Sequence, residues 1–129
     1  MYYIGIDISK FKHDCAVIDD SGEIITPSWS FTNDSEGFLQ LKILLDSLDA
    51  ETRIGLESTG HYGMNLKLFL ESNNFSFMEF NPLLINRFVK SKSLRKTKND
   101  SIDCMMIARY LMTVEYKPYP PLLYHIEKL

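Results

Sequence analysis

Four acidic residues occupy positions where a carboxylate is either costly or well placed for chemistry: Asp7, Glu57, Asp100 and Asp103. Asp7 lies within an apolar run near the N-terminus, where an unpaired carboxylate is expensive unless a hydrogen-bond partner or a metal ion satisfies it. Glu57 ends a second apolar run, directly before a glycine turn. Asp100 and Asp103 are three residues apart, which places both side chains on one side of a helix.

If these acids converge, their chemistry is that of a metal site. Carboxylates gathered at one point repel one another unless a cation neutralises them. Hard oxygen ligands favour Mg²⁺ or Mn²⁺, and such ions can stabilise both the attacking and the leaving oxygen during phosphodiester cleavage. The alternative is local for each residue: a hydrogen-bonded Asp7, a surface Glu57, and aspartates that cap a helix and complement its dipole.

Apolar residues that recur every second position predict five strands. In the first, Tyr2, Ile4 and Ile6 point one way while Gly5 and Asp7 point the other. A turn at Asp20-Ser21-Gly22 separates the second strand from the third, which we expect to be interrupted at Pro27. The predicted strands are Tyr2–Ser9, Asp14–Ile18, Glu23–Phe31, Arg53–Glu57 and Phe75–Phe80.

Apolar residues at helical spacing predict four helices. A capping box of Asn33 and Glu36 opens the first, and the second runs from the glycine turn after Glu57 to about Glu71. Asn81-Pro82 opens the third, with proline in the first helical position. The last is expected from about Asn99 to Met112.

The resulting order is β-β-β-α-β-α-β-α-α. Three early strands followed by β-α alternation predict an α/β fold with a mixed five-stranded sheet and helices on both faces, which is the order of the ribonuclease-H-like fold. If the Asp7 and Glu57 strands are neighbours, both carboxylates lie on one face. Gly5 and Gly55 share that face and would leave room beside them.

A basic segment stands out from an otherwise acidic chain. The net charge is −3, yet the stretch from Arg87 to Lys98 has six basic residues and no acid. This balance suits a protein that holds metal ions and also touches a polyanion, although a solvated lysine-rich loop has the same composition. The nucleic-acid-binding candidates are Arg87, Lys90, Lys92, Arg95, Lys96 and Lys98.

Length and composition exclude several classes of protein. At 129 residues and 45% hydrophobic content the chain has the size and make-up of one globular domain. It has no apolar run of the roughly 20 residues that a membrane helix needs and no signal-peptide pattern, so we expect no membrane partner. Its two cysteines are too few for a disulfide framework or a zinc cluster.

Three stretches resemble one family of proteins: "YIGIDISKFKHDCAVID", "IGLESTGHYG" and "RKTKNDSIDCMMIARYL". They are similar to the N-terminal domain of DEDD-type insertion-sequence transposases, relatives of Piv-type DNA invertases and of the RuvC junction resolvase. The family pattern is Asp in a G-I-D strand, Glu in L-E-x-T-G, and D-x-x-D after a basic K-T segment. Here those positions are Asp7, Glu57, Asp100 and Asp103, and the basic segment is longer than usual.

The resemblance implies a set of expectations. The four acids would hold Mg²⁺ or Mn²⁺ for DNA cleavage and strand transfer, in the cytoplasm of a bacterium or archaeon. Many members of the family are guided by a structured RNA, and a homo-oligomer is expected of the full-length protein. Family members also carry a C-terminal domain with a nucleophilic serine. We therefore expect a RuvC-like domain over residues 1–117 and a linker, or the start of that second domain, over 118–129.

Three rival interpretations stay open on the sequence alone. An actin-like sugar kinase or chaperone ATPase also begins with an I-G-I-D strand, but it needs a glycine-rich phosphate motif and a longer chain. A non-catalytic nucleic-acid-binding module would use its acids only for structure, and metal binding separates it from an enzyme. A stand-alone junction nuclease would cleave DNA without a second domain.

Overall fold

The computed structural model describes residues 1–58, 60–92 and 102–118. Its centre is a five-stranded sheet in the order β3-β2-β1-β4-β5. The strand β2 is antiparallel to both neighbours, whereas β1, β4 and β5 are parallel. The mixed sheet predicted from the sequence is therefore confirmed, including the pairing of the Asp7 and Glu57 strands. The strands are β1 (Tyr2–Asp7), β2 (Lys12–Asp19), β3 (Ile24–Thr32), β4 (Thr52–Glu57) and β5 (Met78–Phe80).

Within the described residues, four α-helices cover the two faces of this sheet. They are α1 (Ser35–Ser47), α2 (Met64–Ser72), α3 (Pro82–Ser91) and α4 (Cys104–Leu111), with a short 3₁₀ turn at Gly60–Gly63 before α2. Apolar residues of α1 and α2 pack with one face of the sheet in one buried cluster. Apolar residues of α3 and α4 form a second cluster on the other face. The period-two strand pattern separates the two cores, because alternate side chains leave a strand on opposite sides.

Two strands differ in detail from their prediction. The strand β3 runs through Pro27 without a break, and the irregularity appears as shifts in the pairing of β2 with β3 around Val17. A bulge of this kind lets an edge strand accommodate a proline, which cannot donate to the ladder. The strand β5 is only three residues long, because Phe75 instead donates its N–H to Leu70 in the last turn of α2.

The first helix begins at a different cap from the one predicted. Asp34, not Asn33, is the N-cap of α1, and its side chain accepts a hydrogen bond from the Gly37 N–H. The prediction of an Asn33–Glu36 capping box was wrong because the Asn33 side chain is used elsewhere. Its amide donates to the backbone carbonyls of Lys10 and Tyr62.

The last helix begins later than expected. The N-cap of α4 is Asp103, in extended conformation with φ −110° and ψ 173°, and Ile102 before it is not helical. The predicted start near Asn99 was therefore wrong at these two residues, while Asn99 itself lies outside the described residues. The third helix matches its prediction, with Asn81 as cap and Pro82 in the first position. None of the described helices combines the length and apolarity needed to span a bilayer.

Candidate active site

The two central parallel strands bring Asp7 and Glu57 to the same edge of the sheet. Gly5 pairs with Gly55 and Ile6 with Leu56, so Asp7 and Glu57 are the next residues on adjacent strands. Both are half-buried and both lie on the face that carries the two glycines. The carboxyl ends of parallel strands are the usual place for a site in an α/β sheet, and the sequence predicted this pair.

The helix α4 lies directly against the two glycines. A Cβ atom added to Gly5 would stand 2.1 Å from the carbonyl oxygen of Cys104 and 2.4 Å from the backbone nitrogen of Ala108. One added to Gly55 would stand 2.7 Å from the Phe80 ring. The room expected beside the carboxylates is therefore filled by α4 and its neighbours. Because the helix packs backbone to backbone on β1, its N-terminus arrives at the edge that bears Asp7.

Asp7 is the electrostatic centre of this edge. The pKa of Asp7 is raised to about 6, first by burial and then, in decreasing order, by the nearby carboxylates of Glu57, Asp14 and Asp103. Burial also raises the pKa of Glu57. Perturbed acids of this kind cluster at functional sites, because such sites gather like charges in partly buried places. The structure thus places Asp7, Glu57 and Asp103 within electrostatic reach of one another at this edge, and their joint role as a site stays a prediction.

Asp14 is an acid of this edge that the sequence analysis missed. It pairs directly with Asp7 across the antiparallel strands β1 and β2, so the two side chains share one face. Its carboxylate accepts a hydrogen bond from the Ser30 hydroxyl on β3. The predicted second strand began at Asp14, whereas β2 begins at Lys12, and the register in which β2 pairs with β1 puts Asp14 opposite Asp7.

Asp103 serves two purposes at once. One of its carboxylate oxygens accepts the Met106 N–H at 2.9 Å, which caps α4, while its charge acts on Asp7. The capping role that the sequence left open for this aspartate is therefore present. Asp103 is exposed. Asp100, the fourth predicted acid, lies outside the described residues.

The donor set fits a hard divalent cation in kind, since it consists of carboxylate oxygens that crowd one another. Within the described ranges, however, no three His, Cys, Asp or Glu side chains form a group that could hold a metal ion. Asp7, Glu57 and Asp103 come to one edge without closing into such a group. That they share a cation, with Asp100 close by, stays a prediction.

The basic candidates divide between two parts of the chain. Arg87, Lys90 and Lys92 are exposed on α3 and at its C-terminal end, whose other side is anchored by Ile85 and Val89. The other three candidates lie outside the described residues: Arg95, Lys96 and Lys98. The structure therefore gives a solvent-facing cationic surface for the first three and no description of the rest.

Comparison with known proteins identifies the family that this chain matches. A family model for DEDD transposases of the IS110 type, described as transposase, matches residues 4–129. The pilin gene-inverting proteins of Moraxella lacunata and Moraxella bovis are each 33% identical over 112 residues, a match that covers 84% of this chain and 33% of each relative. The chain thus spans about a third of the length of these relatives.

One solved structure has a fold similar to that of this chain. The RuvC structure of Thermus thermophilus has a TM-score of 0.59 to this chain at 13% sequence identity, and the match covers 92% of this chain and all of that one. This likeness identifies the five-stranded sheet and its helices as a RuvC-like variant of the ribonuclease-H-like fold. With the family match, it follows that the chain belongs to the IS110-type DEDD transposase family.

Proposed function

We propose that this chain is the metal-dependent nuclease domain of a DNA transposase or site-specific recombinase. The observation that carries the proposal is the crowding of Asp7, whose pKa is raised to about 6 by burial and by the carboxylates of Glu57, Asp14 and Asp103. Such repulsion stores an unfavourable energy that a bound cation would relieve. The edge is therefore built to gain more from a divalent ion than an ordinary surface would.

Asp7, Glu57 and Asp103 would hold Mg²⁺ or Mn²⁺, with Asp100 as a fourth ligand. When bound, such ions supply charge stabilisation for the attacking and leaving oxygens of a phosphodiester. The chain's own contribution is to hold Asp7 and Glu57 on adjacent strands and to fix the Asp103 backbone as the cap of α4. Preorganised groups of this kind do not have to rearrange during the reaction.

The substrate in this proposal is DNA. The two relatives are named for inverting a pilin gene, which in the family interpretation is a rearrangement of DNA. The exposed cations Arg87, Lys90 and Lys92 would contact backbone phosphates without reading sequence, together with Arg95, Lys96 and Lys98. A structured guide RNA, a homo-oligomer and a serine-bearing region elsewhere in the full-length protein are part of the same proposal. Without that region, this domain is expected to bind metal and DNA without joining strands.

The test is metal-dependent stability. Millimolar Mn²⁺ or Mg²⁺ should raise the melting temperature, because a ligand that binds the folded state stabilises it by mass action. Asp7→Asn should abolish that gain. The matched control is Asp46→Asn, which removes a carboxylate from an exposed ion pair with Lys42 on α1 and should leave the gain unchanged. A melting temperature of the unmodified protein that ignores Mn²⁺ would contradict the proposal.

Two observations favour a second candidate, a nucleic-acid-binding module without catalysis. No three of the described side chains form a metal-holding group, and Asp103 already has a structural use as a helix cap. In that case Mn²⁺ would have no specific effect on stability, while DNA binding would persist in EDTA. Cleavage of branched DNA by the protein in Mn²⁺, and its loss in Asp7→Asn, would exclude this candidate.

A further inference from the structure

The turn between β1 and β2 presents an aromatic ring to solvent. Phe11 is 76% exposed, the highest value among the exposed large hydrophobic side chains of the described residues. It stands between two exposed lysines, Lys10 and Lys12, and the ammonium of Lys10 lies 5.1 Å from the centre of its ring. A lone exposed apolar residue needs no explanation, but a ring that contacts one lysine and is followed in sequence by another has a specific composition beside the proposed nuclease edge.

This turn is held by hydrogen bonds and is not a loose loop. The Ser9 N–H donates to Nδ1 of His13 at 3.2 Å, and the Ser9 hydroxyl donates to the carbonyl of Lys12. The backbone N–H of Asn33 donates to the Phe11 carbonyl at 2.9 Å, and its side chain donates to the Lys10 carbonyl at 3.1 Å. The carbonyls of all three exposed residues are thereby fixed to the protein, so their side chains project from a defined backbone.

Asn33 also ties this turn to the one that follows Glu57. Its side-chain nitrogen lies 3.3 Å from the Tyr62 carbonyl, in the 3₁₀ turn whose His61 and Tyr62 rings contact each other at 4.6 Å. Behind Asn33 is the fully buried His13. Burial lowers the pKa of His13, and its Nδ1 accepts the hydrogen bond from the Ser9 N–H. The two turns after the two strand-end acids are thus one connected rim.

We propose that this rim binds an unpaired nucleobase, with Phe11 as the stacking platform and Lys10 and Lys12 on the flanking phosphates. The inference rests on the proposed function, because it places the base beside a phosphodiester held at Asp7. Base stacking on an aromatic ring is sequence-tolerant and strong enough to hold one nucleotide out of a duplex. A ring on a hydrogen-bonded turn loses little conformational freedom when the base arrives, which favours binding.

The positive charge of this rim favours a nucleic acid over a protein as its partner. The side chains next to Phe11 are cationic, and each can neutralise one phosphate. The acids of the neighbouring edge would repel a polyanion, so cations on the turn after Asp7 are needed if a phosphate is to approach. A protein partner or a second copy of this chain would gain from the apolar ring but has no evident need of both lysines.

The experiment compares two DNA ligands of equal length, a perfect duplex and the same duplex with unpaired bases at its centre, in EDTA so that no cleavage occurs. Phe11→Ala should weaken binding of the ligand with unpaired bases about tenfold, since one stacked base is lost, and should change duplex binding less than twofold. Phe11→Trp should retain or improve the preference. Lys10→Gln and Lys12→Gln should each reduce the salt dependence of binding by about one phosphate contact.

The control is Ile43→Ala, which removes an exposed apolar side chain, 63% exposed, from α1 and should leave both affinities unchanged. Equal effects of Phe11→Ala on the two ligands, or no effect on either, would overturn the proposal. So would a change of oligomeric state in Phe11→Ala by sedimentation, which would assign the ring to a protein contact. Cleavage of DNA in Mn²⁺ is measured separately. If the protein cleaves DNA but Phe11→Ala has no effect on binding, only the proposed nucleobase site is refuted. If Phe11→Ala has the expected effect but no DNA is cleaved, only the proposed nuclease function is refuted.

Discussion

The two faces of the sheet pack against their helices in different ways. On the face covered by α1 and α2, buried aliphatic side chains of the strands stand between sheet and helices: Ile4, Ile6, Ile54 and Leu56. On the face covered by α4, β1 presents Gly5, and the small residue Ala108 of the helix lies against it. On the first face, side chains separate the two central strands from the helices, and the close backbone approach is at the edge, between Gly37 of α1 and Thr32 of β3. On the second face, the backbone of α4 contacts the backbone of the central strand β1.

The difference explains where the acids lie. A helix that stands off on aliphatic side chains can shift as those side chains repack, at modest cost. A helix seated backbone to backbone on Gly5 has no side chain to repack, so its position along β1 is defined more tightly. That position brings the Asp103 cap to Asp7. The first face therefore supplies stability, and the second supplies stability together with the geometry of the site.

The largest effect is expected from Gly5→Ala. The new methyl would lie 2.1 Å from the Cys104 oxygen and 2.4 Å from the Ala108 nitrogen, and these are backbone atoms that only a shift of α4 can move. The free energy of unfolding, measured in urea, should fall by more than about 3 kcal/mol, at the upper end for overpacking.

The control for this change is Gly60→Ala. Gly60 has φ +71° and open space around its Cβ position, so the cost there is only backbone strain of about 1 kcal/mol. Equal losses at the two glycines would mean that α4 is not seated as tightly as the structure has it.

The next effect is a cavity on the opposite face. Leu41 of α1 is fully buried in the first cluster, and Leu41→Ala should cost about 3 kcal/mol of unfolding free energy. Because this face carries no acid of the site, the rise in melting temperature that Mn²⁺ produces should survive in the variant. Loss of the Mn²⁺ response in Leu41→Ala would contradict the view that this face contributes to stability but not to the site.

A smaller effect, a gain in stability rather than a loss, is expected from Asp7→Asn in the absence of metal. Its pKa is raised to about 6 in the folded protein from an ordinary value of 3.8, so the folded state binds its proton more tightly than the unfolded state. The resulting stability is complete below about pH 4 and is lost as pH rises through 6. Asp7→Asn should therefore melt a few degrees higher than the unmodified protein at pH 8 in EDTA, with the difference shrinking toward pH 4. A variant that is less stable at pH 8 would show that the Asp7 carboxylate is favourably paired.

The smallest effect separates capping from charge at Asp103. Serine is nearly as good an N-cap as aspartate, so Asp103→Ser should cost only a few tenths of a kcal/mol in unfolding free energy. The matched change is Asp34→Ser at the cap of α1, on the face without the site. Only Asp103→Ser should weaken the stabilisation by Mn²⁺, and an equal Mn²⁺ response in both variants would reduce Asp103 to a cap.

Much of this arrangement could be predicted from the sequence. Alternation along β1 places Gly5 and Asp7 on one side of the strand, and the short connections among the first three strands favour antiparallel pairing. The β-α alternation that follows gives the parallel neighbours β4 and β5, hence the pair Asp7 and Glu57. These are local patterns, because the side-chain period of a strand is a property of its own backbone.

Other features depended on partners far away in the chain. Asp34 rather than Asn33 caps α1, because the Asn33 amide is needed by the carbonyls of Lys10 and Tyr62. The charged stretch before Asp103 has too few apolar residues to indicate where α4 starts, so spacing alone could not identify Asp103 as its cap. Asp14 joined the site through a register that is set only when β1 and β2 pair.

The sequence by itself determined a mixed five-stranded sheet with an antiparallel second strand, and an acid at the end of each of β1 and β4. Only the tertiary structure decided what the absence of side chains at Gly5 and Gly55 means. A missing Cβ is equally compatible with an open space for a ligand and with the close approach of another backbone, because glycine imposes no contact of its own. The packing of α4 filled that space, and in doing so it delivered Asp103 to Asp7.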